Sequence, residues 1–404
     1  MKWINTLRTS DLRGFSKMMR TAAIDLTDVI EGLHAILGGP MGAAHPEKAG
    51  RTRGITGAVY GAIREVTHGL GWGVDNALAI AERRAIPPET SPEREALLAV
   101  LNGVWGDQLA AERNPLAIPM TLRSAGRTLH LDPAALRESF PLANGRMLLL
   151  VHGLCMNDLQ WSHLGHNHGL ALGGAFDYTP LYLHYNSGQH VSSNGRAFAA
   201  LLGNLVAAWP QPVEEIVIVA HSMGGLVTRS ACFYGDEEGA PWLHLVRKVF
   251  CLGTPHHGSP VERGGNMLDV SLGALPITAP FQRLGQRRSA GITDLRYGSL
   301  VDEDWHGIHR FHPLPDNRLP VPLMAGIQWY AMAATRGTPK GSLTSRVLGD
   351  GLVTLDSALG RHRNPARTLN FAPEHQWIGH SLKHNELLWN PAVCDQIGRW
   401  MADN

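Results

Sequence analysis

One serine stands at an abrupt change of pattern. In "EEIVIVAHSMGGLVTRS" (Glu214–Ser230) the run Ile216–Ala220 reads as a short, fully buried strand, and the chain from Met223 onward reads as a helix. Ser222 falls between them. An alcohol attacks a carbonyl only once a base takes its proton and the developing oxyanion is stabilised. A tight strand-to-helix corner serves both needs. It lifts the serine oxygen above the sheet edge and aims the first N–H groups of the helix at the reacting carbon. Such a corner demands small residues two positions to either side, here Ala220 and Gly224, and Gly225 adds room for the helix; His221 and Met223 are the immediate flanks.

A serine nucleophile needs partners, and the chain offers them in the order Ser…Asp…His. "VLGDGLVTLDSALG" puts Asp350 at a turn after a late strand, with Asp356 nearby and Asp302 and Asp304 as more distant rivals. "HSLKHNELLWNPAVCDQIGRW" puts His384 just before a terminal amphipathic helix, where it can fold over the sheet rim; His380 is its competitor. The strand "RMLLLV" ends in His152-Gly153, so the N–H of Leu154 is expected to complete an oxyanion hole with that of Met223.

The elements that must hold these residues follow from periodicity. Up to about Pro119 the chain reads as helical, with Phe15, Met18, Met19, Ala22, Leu26, Val29, Ile30, Leu33 and Leu37 expected on one face. A second helix carries Ile55, Val59, Ile63, Val66 and Leu70 and is expected to meet a break at "GLGWG"; a third starts at Ser91-Pro92-Glu93. "MTLRSAGRTLHL" alternates like a hairpin. From there strand-like runs alternate with helix-length segments, which predicts an α/β fold with a mostly parallel sheet covered on both faces. Domains are therefore expected at 1–119, a helical N-terminal region, and 120–404, a catalytic domain interrupted by a lid insertion at about 259–320. Leu268, Leu272, Leu275, Phe281 and Leu284 of that insertion are candidates for an apolar acyl pocket.

Taken together, "VHGLCMND", "AHSMGGLVTRSA", "LGTPHHGSP", "GDGLV" and "HNELLWNPAV" resemble bacterial α/β-hydrolases of the lipase/esterase type, including the group similar to GPI-inositol deacylases, over about Gly145 to Ala402. The resemblance implies an α/β-hydrolase fold with Ser222 as nucleophile, His384 as base and Asp350 as acid, and Leu154 and Met223 at the oxyanion. It also implies that "GTPHHG" shapes the pocket edge through residues that are not catalytic. The expected activity is hydrolysis of a carboxylic ester with an apolar acyl chain, by way of an acyl-enzyme. Thioesterase, polyester depolymerase and phospholipase activities are alternatives for the same triad, and a non-catalytic binding scaffold is the alternative of another class.

The bulk numbers set bounds. Thirty-six Lys and Arg against 35 Asp and Glu give no electrostatic reason to expect a nucleic-acid partner. Four scattered cysteines form neither a disulfide framework nor a CxxC pattern, and Cys155 is read as a small residue beside the pocket. His163, His166 and His168 lie close together but have no acidic or cysteine ligand at matching spacing, so no catalytic metal and no cofactor is expected, and a structural metal is left open. No apolar run approaches the ~20 residues of a membrane span, and the first residues lack the apolar core of a secretory signal. The expected product is a cytoplasmic protein whose N-terminal helices pack on one another and on the catalytic domain, with peripheral membrane contact left open.

Overall fold

The computed structural model describes residues 7–38, 52, 54–84, 90–260, 262, 288–311, 315–337 and 349–403. The expected acyl-pocket residues Leu268 to Leu284 lie outside this set. Ten short strands are present among the described residues: β1 (Thr121–Ser124), β2 (Arg127–Thr128), β3 (Arg146–Val151), β4 (Ser162–His163), β5 (His166–Asn167), β6 (Thr179–His184), β7 (Glu215–His221), β8 (Val246–Leu252), β9 (Gln328–Thr335) and β10 (Gln376–His380). Eight of them form one sheet in the order β10, β9, β8, β7, β3, β6, β1, β2; β4 and β5 form a separate two-residue ribbon. Pairing is parallel from β10 through β6 and antiparallel at β1 and β2.

Both faces of the central strands are buried, which is why they read as unbroken apolar runs. In β3, Met147, Leu149 and Val151 join a core with Phe198 and Leu202 of α6 (Val191–Ala208) and Leu226 of α7 (Met223–Glu237). Leu148 and Leu150 point the other way, into a core with Leu172 of α5 (His168–Phe176) and Val393, Ile397 and Trp400 of the terminal helix Pro391–Ala402. After β3 the chain moves outward to β6, and after β7 it moves the opposite way to β8. The carboxyl ends of β3 and β7 therefore flank the point where strand order reverses, the usual place for a crevice in an open α/β sheet.

The N-terminal helices are α1 (Thr9–Gly38), α2 (Gly54–Arg84) and α3 (Pro92–Ala111). The break expected at "GLGWG" is not there: α2 runs through it to Arg84. Each helical glycine costs only ~1 kcal/mol, and Gly71 faces the side chain of Arg20 on α1, whose Cδ would lie 2.4 Å from a Cβ placed there. The single apolar face expected on α1 is also divided. Phe15 and Met18 pack on Leu98, Leu101 and Leu116, whereas Met19, Leu26 and Ile30 are exposed. The described part of the 259–320 region holds a short helix at Ala290–Asp294 and a single turn at Asp302–Asp304.

Candidate active site

Ser222 links β7 to α7 with φ +52° and ψ −124°, a conformation that costs a non-glycine residue on the order of 1–3 kcal/mol. The corner is held by packing and backbone bonds. The Ser222 N–H donates to the Leu252 carbonyl at 2.8 Å, and the Gly225 N–H donates to the Ser222 carbonyl at 3.0 Å. The small flanks are obligatory. A Cβ at Gly224 would sit 2.6 Å from the carbonyl oxygens of Val151 and His152, and one at Gly225 would sit 2.0 Å from Oγ1 of Thr254.

His384 begins a turn of 3-10 helix, His384–Leu388, and its Nδ1 lies 2.7 Å from Oδ2 of Asp350. Asp350 is buried; its other oxygen accepts the N–H groups of Leu352 and Val353, each at 2.9 Å. The tight loop that presents Asp350 requires Gly349 at φ +51°, since a Cβ there would lie 1.9 Å from the Val353 carbonyl. Gly253 lets the imidazole of His384 come close: a Cβ on it would be 3.1 Å from Cε1 and Nδ1 of the ring.

Three further histidines fix the turns around this group, and none is placed to titrate near neutral pH. His221 Nε2 lies 3.2 Å from the carbonyl of His384, so its neutral tautomer donates there; burial holds its pKa well below the usual 6.5. His168 Nε2 donates to the Leu387 carbonyl at 3.0 Å, and burial lowers its pKa to about 4. His152 Nδ1 donates to the Gly153 carbonyl at 2.8 Å, its ring stacks on Tyr185, and burial lowers its pKa to about 4. The Tyr185 hydroxyl donates to the His152 carbonyl at 2.8 Å. The sequence marks His152 and His221 only as flanks of motifs; in the structure they position the neighbouring turns.

Ser222 and His384 open into one cavity of about 440 Å³. Leu154, Met156, Ile292, Leu295, Leu352 and Val353 give it apolar walls. Pro255 of "GTPHHG" contributes to the rim, while His256 accepts from Arg229 and His257 donates to the Gly360 carbonyl, both away from the serine. Among the described residues no hydrogen bond joins Ser222 Oγ to His384; such bonds commonly tighten only when substrate binds. Leu154 lies in the loop that follows β3, and Met223 is the first residue of α7, whose N–H has no acceptor within the helix.

The rival residues sit elsewhere. Asp356 is exposed on the short helix Leu355–Ala358, and His380 is exposed at the end of β10. Asp302 pairs with Arg196, and Asp304 accepts N–H groups from Leu300, Val301 and Leu319.

Sequence spacing also missed a long-range group. His166, His168 and Cys394 offer donor atoms within 4.8 Å of one another, so a cysteine does lie beside the histidine cluster, brought there by the terminal helix. His166 Nε2 and His168 Nδ1 already bond to each other at 2.7 Å, and burial pushes the Cys394 thiol up to about 11.

A second omission lies in the N-terminal third. A Cβ on Gly103 of α3 would meet Sγ of Cys155 at 2.2 Å and its backbone N and Cα at 2.9 Å. Gly106 lies as close to Asn186, and Ser289 donates to the Gly103 carbonyl at 2.6 Å. Cys155 has φ +59°, and its N–H donates to Ser187 Oγ at 3.1 Å. Helix α3 is thus the buttress of the Leu154–Cys155 loop. The signal was the glycine pair in "NGVWGD", spaced one helical turn apart.

Residues 142–321 match the family described as the PGAP1-like alpha/beta domain. A triacylglycerol lipase of Burkholderia plantarii is 27% identical over 148 residues, which is 36% of this chain and 39% of the lipase. The chain thus matches about two fifths of that relative's length. Among solved structures, the mature lipase BlEst2 of Bacillus licheniformis aligns with 17% identity and a TM-score of 0.41 over 70% of this chain and 98% of that one. Aspergillus fumigatus lipase B aligns with 13% identity and a TM-score of 0.37 over 67% and 58%. With the mostly parallel sheet and the serine corner at its switch point, the chain has an α/β-hydrolase fold, and its residues 142–321 are similar to the PGAP1-like alpha/beta domain.

Proposed function

We propose that this protein is a serine ester hydrolase that works through an acyl-enzyme. The observation that carries the reading is the meeting of chain-distant residues in one cavity: Ser222 at φ +52°, and His384 held at 2.7 Å by Asp350. Ser222 Oγ attacks the ester carbonyl as His384 Nε2 takes its proton. The N–H groups of Leu154 and Met223 receive the oxyanion, the alkoxide leaves with the proton from His384, and water activated by the same imidazole releases the acid. Asp350 fixes the Nδ1–H tautomer and stabilises the imidazolium. The apolar walls favour an acyl chain, at ~0.8 kcal/mol for each CH₂ buried.

A fluorophosphonate probe tests this directly. The wild-type protein should be labelled on one serine, and labelling and p-nitrophenyl ester turnover should both vanish in Ser222→Ala. A folded wild-type protein that takes no label would sink the hydrolase reading and leave a binding scaffold. A series of p-nitrophenyl esters of increasing chain length then reads the acyl preference.

A further inference from the structure

The hairpin of α1 and α2 is built inside out. Its ion pairs lie between the helices: Arg13 with Asp75 and Glu82, Lys17 with Asp75, and Arg64 with Asp28 and Glu31. Nine of its large apolar residues point to solvent. On α1, Leu12, Met19, Leu26 and Ile30 are exposed; on α2, Val59, Ile63, Val66, Leu70 and Val74 recur at steps of four, three, four and four. That recurrence draws one continuous stripe along a helix.

The two stripes share a face. On α1 the flank carrying Asp11, Gly14 and Phe15 meets Arg94, Leu116 and the α3 core, and the flank carrying Arg13, Lys17 and Arg20 meets α2. At 100° per residue, the third flank of α1 and the stripe on antiparallel α2 both turn away from α3. The nine side chains are each 43 to 70 % exposed. Together they present on the order of 800 Å² of apolar surface, more than the ~300–600 Å² of the largest patch on a typical monomer.

We propose that this face docks on the same face of a second copy of the chain, so that two hairpins form a four-helix bundle about a two-fold axis. The exposed area matches the ~800 Å² per partner of a standard stable interface. No ionised side chain interrupts either stripe, so the face meets no like charge when set against itself, as a two-fold contact requires. Ala23, Ala62 and Gly73 flank the stripes and let the helices approach closely. The charge balance speaks against a lipid surface as occupant. The two helices carry six Lys and Arg against seven Asp and Glu, which offers no attraction to anionic headgroups.

Light scattering and sedimentation of the full-length protein at micromolar concentration test the proposal without reference to catalysis. The wild type should run at twice the 43.9 kDa chain mass. Val66→Glu combined with Leu70→Glu, both at solvent-exposed positions of the single chain, should run as a monomer with unchanged circular dichroism and raise the dissociation constant at least ~100-fold. A monomeric wild type overturns the proposal, as does a dimer that survives the double substitution. Flotation of a monomeric wild type with phosphatidylcholine–phosphatidylglycerol vesicles would overturn it in favour of a membrane surface.

Discussion

The rim of the sheet and the N-terminal hairpin solve opposite problems with the same residue types. At the rim, apolar strands are buried on both faces and the ionisable groups converge in a cleft, held by carbonyls and by one another. In the hairpin, charges are consumed between two helices and apolar residues face out. The rim spends conformational strain, at Ser222 and Gly349, to aim a few atoms; among described residues α1 and α2 contain no positive φ. The difference separates a region organised for chemistry from one organised for contact, with α3 as the member that touches both.

The largest expected effect belongs to the rim. In Asp350→Asn the amide oxygen can keep the bonds from Leu352 and Val353, so the loop should survive. Its NH₂ would then face His384 Nδ1 and force the proton onto Nε2, leaving no base toward Ser222. Ester turnover should fall about 10⁴-fold in kcat with little change in thermal stability. A fall of less than tenfold would remove Asp350 from the triad.

The next prediction probes the junction. Gly103→Ala should push the Leu154–Cys155 loop from its place, because the new methyl overlaps Cys155. Displacing one oxyanion donor typically costs ~10²–10³-fold in kcat, and a partial shift should cost ~10–100-fold. KM should change little, and slow fluorophosphonate labelling of Ser222 should persist. Unchanged kcat would mean that α3 merely caps the domain and does not set the loop.

The residues that meet at the rim were legible in the sequence where their demands are local. Gly224 and Gly225 beside Ser222 and Gly349 beside Asp350 answer close approaches of the backbone and side chains around them, and His384 stands out by its place just before the last helix. What it did not reach was set by distant chain segments. Cys394 joins His166 and His168 across more than 220 positions, and Gly103 meets Cys155 across a helix that no motif covers. The divided face of α1 has the same origin. Periodicity finds an apolar stripe, but only tertiary packing decides whether its members face a core or solvent.

Acid should separate the two regions, with a smaller effect than either substitution. His152, His168 and His257 have pKa values lowered by burial from the usual 6.5 to about 4. Between those limits the unfolded chain binds protons that the folded sheet domain does not, so stability declines as pH falls from about 6.5 toward 4. Each histidine contributes a slope of up to about 1.4 kcal/mol per pH unit. The hairpin behaves differently. Burial pushes the Glu31 carboxyl up, but hydrogen bonds from Arg64 and Thr52 together outweigh it and hold the pKa low; hydrogen bonds from Arg13 hold Asp75 low. Carboxylates with depressed pKa values keep their contribution until pH drops below the ordinary carboxylate range, that is, below about 4. Hydrogen exchange followed at pH 7, 6 and 5 should show protection falling in β3, β7 and β8 while α1 and α2 hold theirs relative to pH 7. Parallel loss in both regions would mean that the hairpin has no stability of its own and rests on the sheet domain for its fold.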